Sequence, residues 1–187
     1  MNTKTSKRTL FFSTKMECRE EQDGTKHIKG IAVPYGQQTE LWTGNFELFE
    51  RGSLAESLEA DDVRVLYNHN PDAVLARKGA GTVTFEDREQ GVFVDMIVNE
   101  EDTEALNIYA RVKRGDIPGW SIGFISEKED SEYRADGSVL NKVKRATVVE
   151  FSVCPFPAYS QTEISARKAD SLSIRKEILK KRLEGIK

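Results

Sequence analysis

The pentapeptide Gly119-Trp120-Ser121-Ile122-Gly123 fits G-x-S-x-G, the pattern of a serine nucleophile on a tight elbow. A serine hydroxyl is a poor nucleophile until a base removes its proton, and the base needs a third group to hold its tautomer. The chemistry therefore asks for a histidine and a carboxylate. Only two histidines are present. His27 lies in GTKHIKG, among charged residues on an expected exposed strand, and reads as a solvated surface side chain. His69 lies in VLYNHNPDAVLA, where a β-branched run meets Asn-Pro turn chemistry. That places it at a strand end, on the rim of a sheet, where position alone favours a satisfied loop histidine and leaves room for a catalytic base. Glu150 is the single acid inside ATVVEFSVCPFPA, the most apolar strand of the chain. A buried carboxylate needs a partner. Glu150 therefore has one, or it alternates outward with Val148 and Ser152.

The elbow itself fails on context. An α/β-hydrolase elbow needs a strand before the serine, a helix after it, and the chain order serine, acid, histidine. Here a helical pattern precedes Ser121, a strand pattern follows it, and both histidines come earlier.

A chain of 187 residues suffices for one domain with a real core. Hydrophobic residues make up 38% and charged residues 32%, as in a soluble globular protein. The net charge of −3 carries no basic excess that would favour nucleic acid or an anionic membrane. The apolar run near the start is only Leu10-Phe11-Phe12, too short for a secretory signal. No stretch approaches the about 20 apolar residues of a membrane span. Cys18 and Cys154 have no metal-ligand spacing and are expected as buried thiols rather than a disulfide.

Even spacing of Leu10, Phe12 and Met16 predicts one strand over 9–19, which pairs with KHIKGIAVPYG as an N-terminal hairpin. A short helix is expected near 53–59, with Ser53 as cap and Glu56 completing a capping box. A strand over 63–69 ends at His69, and GTVTFEDREQGVFVDMIVN reads as a second hairpin. Helical spacing of Ala105, Leu106, Tyr109 and Val112 predicts a helix over 102–116, capped by Asp102 or Thr103 and stopped by Gly115. Strands are expected over 120–128 and 142–157, joined through an Asp136-Gly137 turn. From Ser165 the chain becomes charged and helix-favouring, with Leu172, Leu179, Leu183 and Ile186 along one side. This divides the chain into a domain at 1–160 and, at 161–187, a linker with an amphipathic C-terminal helix. The class is α+β, with mostly strands and two or three helices.

Taken in order, the segments GIAVPYG, FELFERGSLAESL, DVRVLYNHN, GWSIGF and VVEFSVCPFPAY resemble the prohead (capsid maturation) serine proteases of tailed phages. Members of that family show G-x-A-x-P-Y, then a glycine, aromatic and glutamate run followed by G-[AS]-[FL]. An N-H pair, S-[FIV]-G-F and an E-[IVF]-S segment ending in P-A come next. These fall here at 30–35, 45–54, 68–69, 121–124 and 150–158, so the resemblance spans roughly residues 28–160. Two positions depart from it: Leu75-Ala76-Arg77 stands where many members have Leu-Gly-[RK], and Phe-Ser-Val-Cys follows Glu150 in place of a more aliphatic run.

The resemblance implies a β-rich, barrel-like core with flanking helices, as in the herpesvirus proteases. It implies a serine endopeptidase with Ser121 as nucleophile, His69 as base and Glu150 as the acid, without cofactor or metal. Gly119 and Gly123 then act as backbone allowances around a strand-borne serine. Loose analogy with the herpesvirus enzymes points to a loop carrying Arg145 or its neighbours, beside the Glu150 strand, for the oxyanion. The implied substrates are the scaffold, or the scaffold-like delta region of the major capsid protein, and the protease itself. The implied place is the interior of the assembling procapsid of a phage or prophage, in the host cytoplasm. Neither nucleic acid nor membrane is expected as a partner, and self-association as a homo-oligomer is left open.

Overall fold

The computed structural model describes residues 7–156; the expected linker and tail helix at 161–187 lie outside the described residues. In chain order the elements are β1 (Arg8–Phe12), β2 (Met16–Glu20), β3 (Lys26–Pro34), β4 (Thr39–Trp42) and β5 (Asn45–Phe49). Helix α1 (Ala55–Ala60), β6 (Arg64–Tyr67), β7 (Asn70–Arg77), a 3-10 turn (Lys78–Ala80), β8 (Val83–Arg88) and β9 (Gly91–Ile97) follow. The last elements are α2 (Thr103–Arg114), β10 (Gly119–Tyr133) and β11 (Val139–Cys154).

The strands form two sheets. One has seven strands, with the path β1-β10-β11-β5-β4 and β6 and β7 attached to β11; the other has four, in the order β2-β3-β9-β8. The fold is thus mostly β with few helices, but neither sheet closes, and the expectation of a barrel-like core is corrected. The reason lies at residues 13–15. The single strand expected over 9–19 breaks there, so that β1 pairs with β10 while β2 pairs with β3 in the other sheet. Chain that would have continued one sheet instead crosses between two. Thr14 Oγ1 ties the crossing down by donating to the Ile31 carbonyl at 2.5 Å. Lys15 passes so close to β3 that a Cβ on Gly30 would stand 2.6 Å from its carbonyl oxygen.

The apolar face of β10 fills the space between the layers. Trp120, Ile122 and Phe124 are each fully buried beside Phe12, Phe49 and Phe151. Phe49 meets Phe124 edge-on with centroids 4.8 Å apart, and Phe85 of β8 stacks on Phe151 of β11 at 5.2 Å, joining the sheets.

Strand β11 organises the larger sheet. It runs antiparallel to β10 along its length, and parallel first to β5 and then to β6. Helix α1 is the crossover between those two parallel partners. Where β5 has ended and β6 has not begun, Ser57 Oγ of α1 accepts the Val148 N–H at 2.8 Å, and the Ser53 carbonyl accepts the Ala146 N–H at 2.9 Å. Ser53 meets β11 through its carbonyl only; its hydroxyl is buried without a partner and does not cap the helix, whose N-cap is Leu54 without a side-chain bond. Helix α2 follows its expectation: Asp102 accepts the Glu104 N–H at 2.8 Å, and Gly115 ends the helix at φ +91°. Ala105, Tyr109 and Val112 are buried with Ile108.

Candidate active site

Alternation along β10 decides where Ser121 points. With Trp120, Ile122 and Phe124 turned into the core, Gly119, Ser121 and Gly123 share the opposite face. Across the ladder Ser121 stands opposite Ser152 on one side and Phe11 on the other. The two glycines clear this face. A Cβ at Gly119 would run into the Phe12 carbonyl and come 2.8 Å from the Phe11 ring. A Cβ at Gly123 would collide with Glu150 Oε1 and come 2.7 Å from Lys7 Cε. The G-x-S-x-G match thus records close packing around a serine in mid-strand, with no elbow.

Glu150 reaches the same face through a bulge. The register shifts between Gly123↔Glu150 and Phe124↔Val148, which leaves Val149 unpaired and 38% exposed. Before the bulge Val148 lies opposite Phe124 on the core face; after it Phe151 and Val153 do so, opposite Ile122 and Trp120. Glu150 and Ser152 therefore stand together behind the core, opposite Gly123 and Ser121. Strict alternation would have placed Val148 with them.

His69 belongs to a turn. Strand β6 ends at Tyr67, β7 begins at Asn70, and the two-residue connection Asn68-His69 has φ of +52° and +60°. Positive φ at both central positions is the mark of a type I′ hairpin turn, which favours Asn-Gly. The strand expected to end at the histidine stops two residues earlier. The turn is anchored on β11, with Asn68 N–H donating to the Val153 carbonyl and His69 N–H to Ser152 Oγ, both at 3.1 Å. That anchoring swings the imidazole over β11, where Nδ1 lies 2.7 Å from Glu150 Oε1.

Glu150 is 3% exposed. Burial pushes its carboxyl up, but the hydrogen bond and charge of His69, the hydroxyl of Ser152 and Lys7 outweigh it and hold the group below its ordinary value. An ionised carboxylate only accepts, so His69 Nδ1 carries the proton and, in the neutral ring, Nε2 bears the lone pair. Nε2 is buried and has no hydrogen-bond partner among the described residues. It is the nitrogen a base would use. The Ser121 hydroxyl donates instead to the Leu10 carbonyl at 3.2 Å, and the residue is fully buried. The structure thus joins His69 to Glu150 and brings Ser121 onto the same sheet face, with its hydroxyl turned toward β1.

Two further contributors escaped the sequence reading. Lys7 places Nζ 3.5 Å from Glu150 Oε1 from a half-exposed position ahead of β1, and nothing in the sequence signalled it. Ser152 donates to Glu150 Oε2 at 2.7 Å. Its spacing of two from Glu150 on a strand was the available signal. Arg145 lies within β11 rather than on a loop, and its guanidinium pairs with Glu127 at 2.8 Å. His27 pairs with Asp95 at 2.7 Å in the other sheet, so it is less solvated than expected. Cys154 is buried two positions beyond Ser152 on β11, on the same face as Glu150. Its thiol is pushed up to about 12, first by burial and then by the Glu150 charge, which favours the protonated thiol over the thiolate. Among the described residues no cluster of three or more His, Cys, Asp or Glu side chains could hold a metal, and no helix is long and apolar enough to cross a membrane.

Comparison with known proteins bears on this arrangement. The prohead protease of Enterobacteria phage HK97 is 30% identical over 81 residues, 43% of this chain. The match covers 35% of that relative, about a third of its length. The family described as caudovirus prohead serine protease matches residues 14–176, further at both ends than the motifs at 28–160 reach. With well over half of its length matched, the chain belongs to the caudovirus prohead serine protease family.

Proposed function

We propose that this protein is a serine endopeptidase in which Ser121 is the nucleophile, His69 the general base and Glu150 the orienting acid. One observation carries the reading: a His69–Glu150 pair, its carboxylate buried and its Nε2 unpartnered, on the sheet face that also bears Ser121. In this mechanism the Ser121 hydroxyl gives up the Leu10 carbonyl and donates to Nε2. As its oxygen attacks a scissile peptide carbonyl, His69 takes the proton and then delivers it to the leaving amine. Glu150 stabilises the imidazolium that forms in between. Water, activated by the same imidazole, releases the acyl group from Ser121.

Family membership supports substrates of the capsid: the scaffold or the scaffold-like delta region of the major capsid protein, and the protease itself, inside the procapsid in the host cytoplasm. The test is co-expression with the neighbouring capsid gene, read by gel mobility. Wild type shortens the capsid protein. Ser121→Ala leaves it full length, since removing a triad nucleophile lowers turnover by about 10⁶. Equal processing by both proteins would end the assignment.

The hydroxyl parked on Leu10 favours one other reading, a catalytically silent assembly factor that docks on scaffold. A fluorophosphonate separates them, because the silent factor leaves Ser121 unlabelled and the protease does not.

A further inference from the structure

Ser152 is fully buried, and the mechanism above does not use it. Its hydroxyl has two partners, accepting the His69 main-chain N–H at 3.1 Å and donating to Glu150 Oε2 at 2.7 Å. The other oxygen of that carboxylate, Oε1, takes the His69 ring at Nδ1. These three bonds close a circuit: imidazole, carboxylate, hydroxyl, and back to the histidine's own backbone.

We propose that Ser152 is a positioning residue, whose hydroxyl ties the main chain of His69 to the second oxygen of Glu150 and so aims the His69 ring at Ser121. The role rests on the reading of His69, Ser121 and Glu150 as a triad. Two features make such a tie necessary. His69 occupies a left-handed position that residues with a Cβ adopt uncommonly, so its conformation needs an external anchor. Glu150 held at one oxygen alone would be free to swing about that contact; a donor on the other oxygen fixes its plane. Ser152 supplies both anchors from the strand position directly opposite Ser121, so nucleophile, base and acid are all referred to one register of the β10–β11 ladder.

The charged and titratable groups facing Glu150 are His69 from the β6–β7 turn, Lys7 from ahead of β1, and the thiol of Cys154 two positions beyond Ser152 on β11. Against burial, which favours the neutral acid, His69, Ser152 and Lys7 all favour the carboxylate. Without the Ser152 hydroxyl, Glu150 takes up its proton at a higher pH.

The full chain is tested with a fluorophosphonate probe across a pH series. Ser121 Oγ attacks phosphorus, the P–F bond breaks, fluoride leaves, and the hydroxyl proton passes to His69 Nε2. We expect Ser152→Ala to be labelled at Ser121 about a hundredfold more slowly than wild type, the scale of a misplacement of about 1 Å. Its acidic limb moves to higher pH, and exchange of the His69 amide proton accelerates. Ser152→Thr keeps the hydroxyl, restores most of the rate and returns the limb toward wild type. Thermal melts identify the folded variants on which rates are compared, and the amide measurement stands on its own for each.

Labelling of Ser152→Ala at the wild-type rate with an unmoved limb overturns the positioning role alone. So does a folded Ser152→Thr that behaves like alanine. Absence of labelling in the wild type is a different failure, visible before any substitution; it overturns the protease reading and this role with it.

Discussion

His69 stands where two-residue hairpins ordinarily carry glycine. Its φ of +60° follows an Asn68 at +52°, and asparagine tolerates that region better than histidine does. A left-handed residue with a Cβ costs roughly 1–2 kcal/mol. The molecule carries that cost at the one place where a side chain on a tight turn brings an imidazole over the Glu150 carboxylate. Substitution separates the backbone from the chemistry. On the proposed mechanism His69→Gly and His69→Ala both lack the base, and both should fail to process capsid protein. Glycine relieves the turn while alanine retains its strain, so His69→Gly should be the more stable of the pair by about 1 kcal/mol in urea unfolding. Equal midpoints would mean that the turn is not strained.

At the scale of elements, the arrangement depends on strands that depart from regularity. The bulge at Val149 lets Val148 and Phe151 face the core together, which turns Glu150 and Ser152 to the other side. Helix α1 makes this interruption tolerable, since Ser57 accepts the Val148 N–H in the gap between β5 and β6. The crossing at residues 13–15 is the second irregularity. Lys15 lies against β3 at Gly30, where a Cβ would stand 2.6 Å from its carbonyl oxygen and 3.5 Å from Trp120 Nε1. Neither backbone nor indole gives way readily. Gly30→Ala should therefore destabilise by about 1–3 kcal/mol, the usual cost of overpacking. The measurement is a lower urea midpoint at unchanged m; an unchanged midpoint would show that the crossing can move aside.

For the molecule as a whole, two open sheets share one core. Phe151 sits on the strand that carries Glu150 and Ser152 and stacks on Phe85 of the other sheet. Phe151→Ala should cost about 3–5 kcal/mol, as large-to-small changes in a core do. Because the rest of the shared core, with Trp120, Ile122, Val94 and Met96 from both sheets, is left in place, unfolding followed by far-UV circular dichroism and by fluorescence, which includes that of buried Trp120, should remain a single coincident transition, shifted to lower denaturant. Two separated transitions would mean that the layers unfold independently once this contact is lost.

The sequence carried the local information well. Helix α2 was legible through its cap and periodicity, β8 and β9 through their alternation, and the β10–β11 hairpin through Asp136-Gly137, where Gly137 indeed takes φ +83°. The oddity of one acid in an apolar strand singled out Glu150, and turn chemistry singled out the neighbourhood of His69. These signals are local because caps, turns and alternation act over a few residues. Partnership was not legible in the same way. Lys7 on Glu150, Ser152 on the His69 backbone and Ser121 on the Leu10 carbonyl join residues far apart along the chain or across strands. The break between β1 and β2 and the bulge at Val149 likewise arise from packing two sheets on one core, a constraint that no window of residues contains. The residue types and their local conformations could therefore be read along the chain, whereas the separation into two sheets and the resting direction of the Ser121 hydroxyl follow from long-range pairing, whose free energy exists only once the distant strands have met.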